Sequence, residues 1–202
     1  MGGHLLKIKV ETELSTHEPT ADVGFVTWWT ITVTRDPLGE EGAEIAVGSV
    51  RAATIHYGEV VDVAESLYDV LDADSGELEA LSSVFFEEDW LRDEFEATGN
   101  GLFYVAEIDM PDVWRQRGAD LAIVHRLSCT LAMGCSLLVL EPDEWSRKDQ
   151  WGRMGFMPSN GDAGSFQFLN LTRDQPRVVS PARDDRFEIL GPRNVPDEQD
   201  LD

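Results

Sequence analysis

Apolar and polar residues alternate along His4–Leu14, where Leu6, Ile8 and Val10 share one face, and that period of two predicts a strand. Val23–Thr34 is dense in Val, Trp, Thr and Ile, residues that suit a pleated, half-buried surface, and predicts a second strand. Asp36-Pro37-Leu38-Gly39 and Gly42 supply turn chemistry, and Glu44–His56 predicts a third strand, so the amino-terminal part reads as an antiparallel meander. The period then lengthens. Val61, Ala64, Leu67, Tyr68 and Leu71 form one stripe of a helix over about Val60–Leu71, broken by Asp72–Gly76. Leu81, Val84, Phe85 and Trp90 predict a second helix from Leu78 to Phe95. Its acids Glu87, Glu88, Asp89, Asp93 and Glu94 read first as a solvated face; the alternative is that they line a site for an amine.

Alternation returns over Leu102–Met110, with Leu102, Tyr104, Ala106 and Ile108 on one face and Phe103, Val105, Glu107 and Asp109 on the other. A turn holding Arg115, Gln116, Arg117 and Gly118 follows, then a helix over Gly118–Met133 with Gly134 as its stop. Ser136–Glu141 is a continuous apolar run, the pattern of a buried strand. A short helix is expected over Asp143–Met154, and a last strand over Gly164–Leu171. From Asp174 onward Pro176, Pro181, Pro192 and Pro196 stand among many charges, which predicts a flexible or loosely docked tail. The expected organisation is one domain over residues 1–173 and an acidic, proline-containing tail over 174–202.

A glycine-containing turn between a strand and a helix exposes backbone N–H groups at the positive helix end, an arrangement that binds phosphate. Here Pro111 is followed by Arg115, Gln116, Arg117, Gly118, Ala119 and Asp120, and farther on stand Trp151, Gly152, Arg153, Met154, Gly155 and Phe156. This ordered series resembles the GNAT superfamily of acyl-CoA N-acyltransferases, which carries a strand, a proline, Arg/Gln-x-x-Gly-x-Gly/Ala opening a helix, and later a Tyr followed by Gly-Phe. The resemblance implies a mixed α+β or α/β fold, with a mostly antiparallel central sheet flanked by about four helices. It implies acetyl-CoA, or another acyl-CoA, as donor. The amides of Gln116 to Asp120 would cradle the pyrophosphate, and Arg115 and Arg117 would add positive charge. The backbone of Ile108 to Met110 would pair with the pantetheine arm and polarise the thioester carbonyl.

Three features depart from the family. Asp120 stands where glycine or alanine is preferred, and a carboxylate there repels a pyrophosphate. Trp151 stands at the tyrosine that in many members protonates the departing thiolate, and an indole offers only an N–H donor. Three strands precede the helical pair, where members commonly place two helices after the first strand, so the acceptor is not carried over. The alternative to an N-acyltransferase is therefore a catalytically degenerate fold acting as a CoA-binding or protein-interaction module. Among side chains, Glu107 is the best single candidate for general base, as a charge expected to face inward near the end of a central strand; the competing role is a salt bridge to Arg115 or Arg117. Glu141 is a weaker candidate.

Composition narrows the partners. Asp and Glu number 39 against 16 Lys and Arg, a net charge of −23, which repels nucleic acid and anionic membranes and favours a small cationic amine or a basic peptide. A homodimer is compatible with the sequence. No apolar run approaches the roughly 20 residues of a membrane span, and MGGHLLKIKV lacks the organisation of a secretory signal, so a cytoplasmic location is the default expectation. Cys129 and Cys135 are expected as small reduced core residues. His125 and Cys129 lie one helical turn apart but lack further ligands nearby, so no metal is expected.

Overall fold

The structure is a computed structural model that describes residues 6–12, 24–35, 44–62, 66–141, 148–159, 166–180 and 186–191. Strands β1 (Leu6–Glu11), β2 (Val26–Arg35) and β3 (Ile45–Ile55) form the expected meander, each pairing antiparallel with the next. Helices α1 (Tyr57–Asp62), α2 (Leu67–Asp74) and α3 (Gly76–Phe85) follow. Their starts are written locally. The Ser66 hydroxyl accepts from Asp69 N, and the Ser75 hydroxyl accepts from Leu78 N, each at 3.4 Å, satisfying donors that a helix start leaves over.

The long helix expected to reach Phe95 stops at Phe85. Strands β4 (Phe86–Glu87) and β5 (Trp90–Leu91) make a tight hairpin, closed by Glu88 and Asp89 at φ 49° and 68°. A 3-10 turn over Asp93–Phe95 leads to β6 (Leu102–Asp109). Helix α4 (Asp112–Arg115) precedes α5 (Ala119–Ser128), which ends before the expected Met133. Then come β7 (Leu137–Leu140), α6 (Lys148–Arg153), β8 (Met157–Pro158) and β9 (Gln167–Asn170). The amino-terminal part of the helix expected from Asp143 lies outside the described residues. In the segment expected to be a loose tail, β10 (Arg177–Val179) and β11 (Glu188–Leu190) pair antiparallel, and Val178, Phe187 and Ile189 pack against the core.

The main sheet has seven strands in the order β1-β2-β3-β6-β7-β9-β8. Every pairing in it is antiparallel except β6 with β7, which run parallel because α5 carries the chain back across the sheet. The fold is thus mixed with a mostly antiparallel sheet, as expected, with six helices among the described residues where about four were expected.

Each face of the sheet carries its own core. On one face Val33, Val50, Phe103, Val105 and Leu138 meet Leu121, Val124 and Leu127 of α5, with Trp151 and Phe156. On the other, Ile55, Leu102, Tyr104, Leu137 and Val139 meet Leu71 of α2 and Leu78, Leu81 and Phe85 of α3. Each such fully buried side chain is worth about 1.5–3 kcal/mol. Tyr57 ties the strand starts together: its hydroxyl donates to the Gly99 carbonyl and lies 3.0 Å from the Ser136 hydroxyl, which donates to the Gly101 carbonyl at 2.9 Å. Outer strand β1 carries Lys7 and Lys9, ion-paired with Glu44 at 2.9 Å and Glu11 at 2.5 Å. Among the described residues no helix is long and apolar enough to cross a membrane.

Candidate functional site

Leu102 to Val105 of β6 align with Leu137 to Leu140 of β7, but β6 runs on to Asp109 while β7 stops. Beyond Val105 the β7-side edge of β6 therefore has no strand partner among the described residues. A backbone edge of that kind can receive an extended ligand arm. Arg115 partly lines it: its guanidinium donates to the Ile108 carbonyl at 2.6 Å and to the Met110 carbonyl at 3.0 Å. Each carbonyl keeps a second lone pair. Met110 itself is buried, and Ile108 packs against the α5-side core.

The turn after β6 is tighter than a free phosphate cradle. Gln116 N donates to Asp112 O at 2.8 Å, Arg117 N to Trp114 O at 3.1 Å, and Gly118 N to Arg115 O at 2.9 Å. Of the amides from Gln116 to Asp120, three are therefore committed inside the turn. Gly118 sits in the left-handed region at φ 76° and lets α5 begin at Ala119. The amides of Ala119 and Leu121, at the positive end of α5, meet no backbone carbonyl among the described residues. Asp120, in the same turn of helix, is only 3% exposed, so its carboxylate belongs to the interior and not to the outer lip.

A cleft of about 300 Å³ opens beside this helix start. Gly118 and Leu121 line one side, Gln150 and Arg153 of α6 another, and Phe187, Glu188 and Ile189 the third. The carboxy-terminal hairpin is thus a wall of the cleft. Phe187 N donates to the Arg117 carbonyl at 2.8 Å, and a Cβ added to Gly118 would lie 3.0 Å from the Phe187 oxygen. The Arg117 guanidinium lies 5.3 Å from the Trp114 ring centre, and that of Arg35 lies 5.4 Å from the same ring. The cationic member of the cleft is therefore Arg153, with Glu188 as a local opposing charge.

Glu107 departs from the inward orientation expected of it. Its side chain is 62% exposed, and its closest ion-pair distance is 4.0 Å, to Arg51 rather than to Arg115 or Arg117. The cause is a register shift: Arg51 faces Glu107, but Ala52 faces Val105, leaving Ala106 as an extra residue. Beyond this bulge the alternation changes phase, so Ile108 joins the face of Phe103 and Val105 while Glu107 turns to the other. There Arg51 also meets both Glu77 oxygens at 2.8 Å and lies 4.8 Å from the Trp28 ring centre. Trp28 donates its indole N–H to Asp74 at 2.9 Å.

Tyr104, two residues before the bulge, points to this same side and is 1% exposed. Burial, then the nearby Glu77 and Glu141 carboxylates, push its phenol well above the ordinary range. Its hydroxyl makes no hydrogen bond among the described residues. Glu141 is exposed just past the end of β7. Sequence reasoning missed Arg51, Glu77, Tyr104, Arg153 and the hairpin residues. Arg51 alone left a signal, a charge in the middle of an otherwise uncharged strand.

Trp151 is 4% exposed and packs edge-to-face on Phe156 at 5.4 Å, inside the core. Cys129 is exposed, against expectation, and Cys135 is half-buried. No group of three or more His, Cys, Asp or Glu among the described residues is placed to hold a metal ion. No known family model, curated protein or solved structure matches this chain.

Proposed function

We propose that the protein is an acyl-CoA-dependent N-acyltransferase, with acetyl-CoA as donor and a small cationic amine or basic peptide as acceptor. One observation carries the reading. A cleft joining a left-handed glycine and Arg153 lies at the start of α5, the helix that links β6 to β7, the single parallel pair in the described sheet. In sheets with parallel strands, ligands bind outside the carboxyl ends of those strands. The ordered series from Pro111 to Gly118, and Trp151 to Phe156, supports the GNAT resemblance from the sequence side.

The residues present fit a phosphate-bearing group. The amide of Leu121 at the start of α5 and the Arg153 guanidinium would hold its phosphates. The acyl-CoA thioester supplies an acyl group activated toward amines. The β6 edge beyond Val105, braced by Arg115, orients an extended arm along the strand. Glu107, exposed at the same strand end, takes a proton from the incoming ammonium, and its charge holds the cation near.

A second reading, a CoA-binding or interaction module without turnover, draws on the burial of Trp151, which leaves that position with no acid to offer a thiolate. Two measurements separate the readings. Calorimetry with CoA on wild type and Arg153→Glu is expected to show at least tenfold weaker binding in the variant, since a charge-assisted phosphate contact is worth about 1.5–3 kcal/mol. Equal affinity would remove the cleft from cofactor binding. Free-thiol release over a panel of amines is expected to fall about 10²–10⁴-fold in Glu107→Gln with CoA affinity kept. CoA binding without release on any acceptor selects the module reading.

A further inference from the structure

Val105, Leu140 and Gln167 stand side by side in β6, β7 and β9, and theirs is the last row to span all three strands. Val105 and Leu140 both face the α5-side core. Gln167 shares that face, because its neighbours Phe166 and Phe168 belong to the opposite core and side chains alternate along a strand. It is 6% exposed, yet its Oε1 atom meets no hydrogen-bond partner among the described residues. A buried amide oxygen in that state costs stability, and native interiors seldom keep one without a use.

We propose that Gln167 is a binding residue whose side-chain carbonyl accepts an N–H from an extended, amide-bearing arm laid along β6 beyond Val105. Adjacent strands lie about 4.8 Å apart. An arm on the track where β7 stops therefore lies one strand spacing from β6 and one from β9, within reach of a glutamine side chain at the head of the track. The other acceptors flanking that track are already shared. The carbonyls of Ile108 and Met110 take the Arg115 guanidinium, and the Phe166 carbonyl takes both the amide of Ser159 at 2.9 Å and its hydroxyl at 3.1 Å. Pro158, the partner of Gln167 in β8, has no N–H to give.

A carbonyl left without a donor selects a ligand that brings one. In the acyl-CoA reading of the site the arm is pantetheine, whose amides each carry an N–H, and the inference rests on that reading for the identity of the arm. Because the oxygen is satisfied only when the arm is in place, Gln167 weakens the free protein and strengthens the complex. A glutamine kept for packing alone would do neither.

Calorimetry and thermal melting of the full chain test that opposition. Gln167→Met keeps the length of the side chain and removes its acceptor. The free variant is expected to melt at or above the wild-type temperature, and to bind CoA about three- to tenfold more weakly. The nucleotide portion of CoA alone, with its phosphates but no arm, should bind both proteins alike. Equal CoA affinity in the two proteins, an equal loss for the armless nucleotide, or a free variant that melts well below wild type would each overturn the proposal. If Gln167→Met weakens CoA binding while Arg153→Glu does not, Gln167 keeps its role and the cleft loses its place in the proposed function. No CoA binding by wild type would overturn both.

Discussion

Cys135 and Cys129 lie close in sequence but in different surroundings. Burial pushes the Cys135 thiol from 9.0 up to about 11, while Cys129 is exposed. The thiolate is the reactive form, so at pH 8 only about one Cys135 in a thousand is ready to react. A disulfide-exchange reagent on the native protein is therefore expected to label Cys129 at least tenfold faster, with the two rates converging in denaturant. The same shift sets a pH limit. The fold favours the neutral thiol, so its contribution is complete below pH 9 and is lost as pH rises through about 11. Tyr57 and Tyr104, also raised mainly by burial, add to this alkaline loss above their unfolded value of 10.0. Sequence reasoning placed Glu107 at the end of the right strand but on the wrong face. Strict alternation cannot reveal a bulge, and a single extra residue at Ala106 reverses every later side chain.

Elements were legible where their period was long and their boundaries were chemically marked. The meander, β6, α5 and β7 all carry that signature. The end of α3 did not, because its hairpin turn is made by Glu88 and Asp89, a pair with no glycine or proline to announce it. The carboxy-terminal hairpin was illegible for another reason: its few apolar residues form no periodic run, and only packing against α5 gives them a place. That docking is linked to pH through His125. Burial lowers its pKa below 6.5, with Arg126 acting in the same direction and a hydrogen bond to the Pro176 carbonyl opposing them. A depressed histidine contributes stability above its unfolded value that is lost as pH falls through the folded one. Amide exchange in β10 (Arg177–Val179) and β11 (Glu188–Leu190) is expected to quicken on going from pH 7.5 to 5.5, and His125→Gln should flatten that response. Equal acceleration in wild type and variant would detach His125 from the hairpin.

At the scale of the whole molecule, the opposition of 39 acids to 16 bases dominates. The ion pairs Lys7–Glu44, Arg51–Glu77 and Arg173–Glu96 are largely exposed and offset little of that repulsion. Raising sodium chloride from about 10 to 150 mM shortens the screening length from about 30 to 8 Å. The melting temperature is expected to rise by several degrees over that range, and a fall would show that attractive pairs dominate instead. The charge was legible at once, since it is a count. Which acids stand near one another was not, because that depends on how the elements pack.

The basic side follows a pattern of its own. Only three lysines serve the chain, at Lys7, Lys9 and Lys148. Two of them sit on β1, three strands away from β6, each engaged by a glutamate. Under the acyl-transfer function proposed above, the protein's own side-chain amines would be the nearest wrong targets for an activated thioester. Arginine, protonated at all working pH, is no such target. This chain draws its positive charge almost entirely from arginine, which under that proposed function would leave few side-chain amines to self-acylate.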